Sequence, residues 1–232
     1  MKYWTLAEIR AKIVQECDLE DEDFVRSTEL RDYINEAIDE AESEIHGLYE
    51  DYFLKQIDVP LTAGTELLSI PALMPDIYGE KIREIMFYTG DGTKVYEVKR
   101  LAESRKFAER AIFRTNVSTD LVQFYTRNQT PGNPEIVLVP KATESGFLEI
   151  SYLRNANRLV LETDICDIPE FVSFVTAHAK VKVYEKEGHP GQQAAMVKLD
   201  RERERMVGTL AAKTPDGENK IEMDLSFYED MN

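Results

Sequence analysis

Residues 27–54, STELRDYINEAIDEAESEIHGLYEDYFL, decide how this chain is read. Leu30, Tyr33, Ile34, Ala37, Ile38, Ala41, Ile45, Leu48, Tyr49 and Tyr52 recur at steps of three and four. The spacing predicts one amphipathic helix over Ser27–Leu54 with a single buried face. At 1.5 Å per residue it would be roughly 40 Å long. The other face carries Glu29, Asp32, Glu36, Asp39, Glu40, Glu42, Glu44, Glu50 and Asp51 against one base, Arg31. Such a helix needs partner helices along its length, and its charge needs a role.

Upstream, Thr5-Leu-Ala-Glu8 is a capping box that opens a first helix, with Trp4 and Ile9 placed as a hydrophobic staple. Leu6, Ile9, Ile13 and Cys17 mark its inner face. The acidic run Asp18–Asp23 lacks the glycine and ligand spacing of a calcium loop and reads as a solvated turn. Ser27 or Thr28 is placed to cap the long helix.

Downstream, residues 57–155 change character. Short β-rich runs are expected at Ile57–Leu61, Glu66–Ile70, Ile82–Tyr88, Lys94–Val98, Leu121–Tyr125, Glu135–Val139 and Phe147–Leu153. Thr89–Thr93 with its glycine pair is a hairpin turn, and Thr130–Pro134 is a loop. Arg100–Phe113 reads as a short helix. Together these suggest an inserted sandwich or barrel-like region. Helical signals return at Ile168-Pro169, with Phe171, Val172, Val175, Ala179 and Val183 inward. After Gly188–Gly191 a fourth helix is expected from Gln192 to about Ala212, with Met196, Leu199, Met206 and Leu210 inward. Its charged run offers spacing-three pairs such as Asp200 with Arg203.

The expected fold is thus α+β: a four-helix bundle over 1–56 and 156–212, a β-rich insertion over 57–155, and a C-terminal arm over 213–232. Thr214-Pro-Asp-Gly217 is a turn sequence. Beyond it, Ile221, Met223, Leu225, Phe227 and Tyr228 give the tail an apolar strand-like alternation. It reads either as a frayed end or as an arm that orders on a partner.

Chain length allows one large domain or a domain with an insertion, and 43% hydrophobic residues suffice for a core. The net charge of −16 argues against a protein that grips nucleic acid by its phosphates. No segment approaches a membrane span, and the N-terminus has no signal-peptide pattern. Cys17 and Cys166 read as small buried hydrophobes, with a disulfide between them as the alternative. His46, His178 and His189 have no metal-ligand spacing, and no nucleophile or zinc-protease motif occurs. No enzyme, cofactor or metal is therefore expected. One basic patch, Lys94, Lys99, Arg100, Arg105, Lys106, Arg110 and Arg114, stands out in the acidic chain. It could meet nucleic acid, or the acidic helix of another copy in a heterologous, ring-forming contact.

The stretches WTLAEIR (4–10), FVRSTELRDYINEAIDEA (24–41) and FLEISYLRNANRLV (147–160), followed by IPEF (168–171) and the helix to Gly188, resemble the head-to-tail connector family of tailed phages, the portal adaptors of the neck. The resemblance covers both ends of the chain and not the β-rich middle. It implies a helical bundle with a β-rich insertion and a ring, commonly of twelve copies, around the DNA channel. It also implies portal docking through the C-terminal arm, tail or nozzle proteins on the lower face, and a place in the virion neck after synthesis in the host cytoplasm. On that view Glu36, Asp39, Glu40 and Glu44 line the channel or meet Lys99, Arg100, Arg105, Lys106 and Arg110 of a neighbour. Ile221, Met223, Leu225, Phe227 and Tyr228 would contact the portal. The alternatives are a tail-terminator or stopper ring, or an acidic DNA mimic that binds a nucleic-acid enzyme.

Overall fold

The computed structural model describes residues 2–19, 24–92, 94–101 and 123–213. The chain is α+β and divides into two compact units, one of residues 1–49 and 158 onward, the other of residues 50–157.

The first unit is helical. α1 (Leu6–Cys17) begins with the expected capping box: Thr5 N donates to Glu8 Oε2 at 3.0 Å, and Glu8 N donates to Thr5 Oγ1 at 3.3 Å. Leu6, Ile9, Ile13 and Cys17 are all buried. α2 (Ser27–Leu48) buries Leu30, Ile34, Ala37, Ile38, Ala41 and Ile45, the stripe its spacing predicts. Neither Ser27 nor Thr28 caps it. Arg26 is the cap residue, and the Ser27 hydroxyl accepts from Arg10 Nη1 at 2.5 Å.

α2 also stops six residues early. Residues Glu50–Phe53 form a 3₁₀ turn, and Leu54 already pairs with Leu153 in a sheet. Gly47 weakens the last turn, and cross-strand pairing then takes the backbone into extended geometry. The helix is therefore about 33 Å long. Leu48 loses its place on the apolar face and is 39% exposed.

Pro169–Phe171 form a 3₁₀ turn that leads into α4 (Val172–Glu187), where Phe171, Val172, Val175, Ala179 and Val183 are buried as expected. Gly188, at φ 63°, supplies the left-handed residue that ends α4. α5 (Gln192–Lys213) buries Met206 and Leu210, but Ala195 takes the inward position expected for Met196, which is 48% exposed. α4 packs against α1, α2 and α5, and α5 also touches α2.

The second unit holds eight strands and one short helix among the described residues. β1 (Leu54–Leu61), β8 (Gly146–Arg154), β3 (Ile77–Thr89) and β4 (Val95–Glu97) form one four-stranded sheet in the order β1-β8-β3-β4. β2 (Leu67–Ser69), β7 (Asn133–Val139), β6 (Gln123–Thr130) and β5 (Lys99–Arg100) form the other, in the order β2-β7-β6-β5. Val59, Ile85, Phe87, Leu148 and Ile150 of the first share one core with Phe124, Ile136 and Leu138 of the second. The arrangement is two sheets over a common core and not a barrel.

Ile136-Val-Leu-Val139 is a continuous apolar run because it is buried on both faces: Val137 and Val139 join Leu101 and Tyr125 in a second cluster. Gly146 lies opposite Leu61 and Thr89, where a Cβ would collide with the Tyr88 carbonyl.

Three local expectations are corrected. Ile70 does not extend β2 but starts α3 (Ile70–Leu73), with Pro71 in its first turn. The Thr130–Pro134 loop shrinks to Pro131-Gly132, because proline followed by glycine at φ 78° completes a tight turn. Arg100 belongs to strand β5, parallel to β6, rather than to a helix. Leu101 is buried outside any helix, and the rest of the helix expected up to Phe113, from residue 102, lies outside the described residues. So does the C-terminal arm beyond Lys213.

Candidate functional site

Within the helical unit, α2 and α4 run antiparallel, each with charged residues at spacing four. On α2 the acids are Glu36, Glu40 and Glu44; on α4 the bases are His178, Lys182 and Lys186. Opposed in reverse order, they form a ladder. Lys186 Nζ sits 2.6 Å from Glu29 Oε2, Lys182 Nζ 2.7 Å from Glu36 Oε1, and His178 Nε2 2.9 Å from Glu40 Oε2. Arg203 of α5 extends it to Glu44.

Asp39 points to another side and pairs with Arg158 Nη2 at 2.7 Å. Glu36, Asp39 and Glu44 thus have a cation of their own chain, and Glu40 has the buried imidazole of His178. Glu36 keeps a half-exposed side chain (51%), whereas Glu44 is largely covered (17%).

Hydrogen bonding to Glu36 raises the Lys182 pKa, and the same effect from Asp39 and Glu44 raises those of Arg158 and Arg203. His178 behaves differently. Burial lowers its pKa, and the opposing pull of Glu40 and Glu36 does not overcome that. Its Nδ1 is buried without a hydrogen-bond partner. The expected Asp200–Arg203 pair gives way to Arg203–Glu44, with Asp200 a weaker electrostatic neighbour. Glu202 and Arg205 form the spacing-three pair, at 3.6 Å.

The loop that leads into α4 is pinned to α1 and α2. Asp164 Oδ2 accepts from Val160 N and Leu161 N, both at 2.8 Å. Those two bonds hold its carboxyl below the usual carboxylate range. Leu6 N, at the start of α1, donates to Asp164 O at 2.9 Å, and Ala7 N donates to Glu162 O at 3.1 Å. Two otherwise orphaned amides of α1 are thereby satisfied. The loop still leaves Val160, Leu161 and Ile165 more than half exposed.

Of the basic patch, Lys99 and Arg100 are exposed on β5, the edge strand of the second sheet. Arg105, Lys106 and Arg110 lie outside the described residues. So do Ile221, Met223, Leu225, Phe227 and Tyr228 of the arm. Cys17 and Cys166 are both buried free thiols, which removes the disulfide alternative, and burial pushes each pKa up to about 11. Among the described residues no cluster of His, Cys, Asp and Glu could hold a metal, and no helix is long and apolar enough to cross a membrane.

A family model described as SU10 adaptor protein matches residues 4–219, nearly the whole chain. The chain belongs to the SU10 adaptor family. No curated protein matches it. As a member of a phage adaptor family, this adaptor is a structural virion component whose work is to meet other virion proteins.

The ladder cations were not recognised from sequence, although one signal was present. His178 and Lys182 stand at spacing four, matching Glu40 and Glu36 in reverse order. Arg158 carried no such signal.

Proposed function

We propose that this adaptor forms a ring, of about twelve copies by family resemblance, beneath the portal and around the DNA channel. It joins the phage head to tail or nozzle proteins, without enzymatic activity, cofactor or membrane contact. The observation that carries this reading is the match of an adaptor family over residues 4–219. The pairing of Glu36, Asp39 and Glu44 with cations of their own chain supports it, since it leaves less unpaired carboxylate than an acidic DNA mimic would present.

In this reading the helical bundle is the spine of each subunit. The half-exposed acids Glu36, Asp39 and Glu40 either face passing DNA or meet Lys99, Arg100, Arg105, Lys106 and Arg110 of a neighbour. The tail residues Ile221, Met223, Leu225, Phe227 and Tyr228 engage the portal. The virion neck is its location.

Native mass measurement of the protein alone and mixed with portal tests the reading. A ring-sized species that forms with portal is expected, and salt at 0.5 M should weaken it if acid–base contacts join the subunits. A protein that stays a small oligomer with portal, yet binds a nuclease or polymerase, would sink it.

A further inference from the structure

The first sheet of the β-rich unit, in the order β1-β8-β3-β4, turns one face to the common core. Val59, Leu61, Ile85, Phe87, Leu148 and Ile150 point into that core, so the residues between them in each strand lie on the outer face. The register sorts those residues into rows across the sheet. One row is Pro60, Phe147, Tyr88 and Val95, apolar or aromatic throughout. The Tyr88 and Phe147 rings stack with centroids 4.6 Å apart, and Phe147 and Val95 are 36% and 48% exposed. Single surface hydrophobes are ordinary, but a row that crosses all four strands is a contiguous patch.

The adjoining row is acidic. Asp58 stands directly opposite Glu149, and Glu149 and Glu97 stand on either side of Met86. Glu84, two residues from Met86, adds a fourth acid to the same face. Asp58, Glu84 and Glu97 are exposed, and Glu149 accepts from the Tyr88 hydroxyl at 3.4 Å. Burial raises the Tyr88 pKa, and Glu149, Asp58 and Glu84 push it the same way, as carboxylates gathered around one hydroxyl must. Among the described residues none of the four acids has an ion pair. The bases of β1 and β3 are engaged elsewhere, Lys55 with Asp76 and both Lys81 and Arg83 with Glu50.

These acids do not serve the fold. Like charges directly opposite each other destabilise an antiparallel pair, so Asp58 and Glu149 weaken the free subunit. An apolar strip beside uncompensated charge has the makeup of an interface core and its rim. The sign of the charge selects the occupant. Carboxylates repel phosphates, which disfavours nucleic acid, and they attract Lys and Arg. The two rows lie two residues apart along each strand, about 7 Å, which fixes how far a partner's cations must sit from its apolar side chains.

We propose that the outer face of this sheet docks a basic, apolar segment of another virion protein, with large apolar side chains on the row from Pro60 to Val95 and Lys or Arg on the row from Asp58 to Glu97. This face serves such a partner whether or not the subunits form a ring.

A short blocked peptide of alternating lysine and phenylalanine is the probe, titrated into the full chain by calorimetry at low salt. Asp58→Lys with Glu97→Lys should weaken its binding by at least about tenfold. The same double substitution should raise the thermal midpoint of the free chain, because Lys at position 58 faces Glu149. No binding to the wild type, equal affinity for both chains, or a lower midpoint in the variant would overturn the proposal. So would oligolysine that binds as tightly as the alternating peptide, since the apolar row would then take no part. Two further measurements separate other occupants. A self-associated species of the chain alone that is lost in the variant would assign the face to a second copy. A short DNA duplex that binds the wild type and not the variant would assign it to nucleic acid, and either result would overturn the proposal.

Discussion

Asn35 of α2 and Leu159 of the pinned loop exchange two hydrogen bonds. Asn35 Nδ2 donates to Leu159 O at 3.0 Å, and Leu159 N donates to Asn35 Oδ1 at 2.8 Å. Both residues are buried, so neither backbone group has water as an alternative. Asn35→Leu would keep the volume and orphan both groups. A loss of about 2–4 kcal/mol is expected by urea unfolding. Asn35→Asp keeps the acceptor but buries a charge, so it should be more damaging at pH 7 than at pH 5. A loss below about 0.5 kcal/mol for Asn35→Leu would mean that the loop relaxes to water.

This pair shows how much of the fold was legible. Asn35 sits in the Asn-Glu-Ala segment that carried the family resemblance, yet nothing in its spacing shows that it holds a loop 124 positions away. The apolar stripes of α1, α2 and α4 were readable because periodicity records burial directly. The α2 terminus was not. Tyr49 and Tyr52 continue a helical step by coincidence, and the pairing of Leu54 with Leu153 is information from a distant strand. The acidic face was legible as charge but not as paired charge, since its partners come from residues 158, 178, 182 and 203. Met196 lost its inward place to neighbouring Ala195, a shift of one position in the buried face that one helix cannot reveal by itself.

His178 should make stability fall as pH falls. Its folded pKa lies below the usual 6.5, chiefly through burial, despite Glu40 and Glu36 and with Lys182 acting in the same direction as burial. The unfolded chain therefore takes up the proton first. The stability is present above about pH 6.5 and is lost below it, down to the depressed folded value. His178→Gln should flatten the stability difference between pH 8 and pH 5. An unchanged slope would place the acid sensitivity elsewhere.

In the β-rich unit Asp76 is a junction. Lys55 Nζ donates to its Oδ2 and the Tyr152 hydroxyl to its Oδ1, both at 2.7 Å. Partial burial pushes its pKa up, but these two bonds outweigh that and hold it below the usual 3.8. Its contribution is thus present above about pH 3.8 and is lost as pH falls through the lower folded value. Asp76→Ala removes the acceptor of the fully buried Tyr152 hydroxyl, leaving it Lys55 alone, and should cost about 1–2 kcal/mol. Asp76→Asn retains an acceptor, so it should cost less and show a flatter acid response. Chemical denaturation from pH 3 to 7 would separate the two, and identical profiles would remove Asp76 from the acid response.

The ladder predicts that charge on α2 matters little for folding and more for assembly. Glu36→Lys and Lys182→Glu each place like charges at a contact that is now 2.7 Å, while the double swap restores opposite signs. Both groups are partly exposed, so a coupling of only about 0.2–1 kcal/mol is expected in a double-mutant cycle of thermal unfolding. Lys99→Glu with Arg100→Glu acts on an exposed edge strand and should leave unfolding unchanged. If that edge meets the acids of a neighbour, the same double substitution should weaken ring formation on the portal by at least about tenfold, roughly 1.4 kcal/mol per contact. The swap at positions 36 and 182 changes the sign of the charge that Glu36 presents, so combining it with the Lys99 and Arg100 substitutions should recover part of the loss. Rings that form equally well in every combination would remove the acidic face from the subunit contact and leave it to the channel or to solvent.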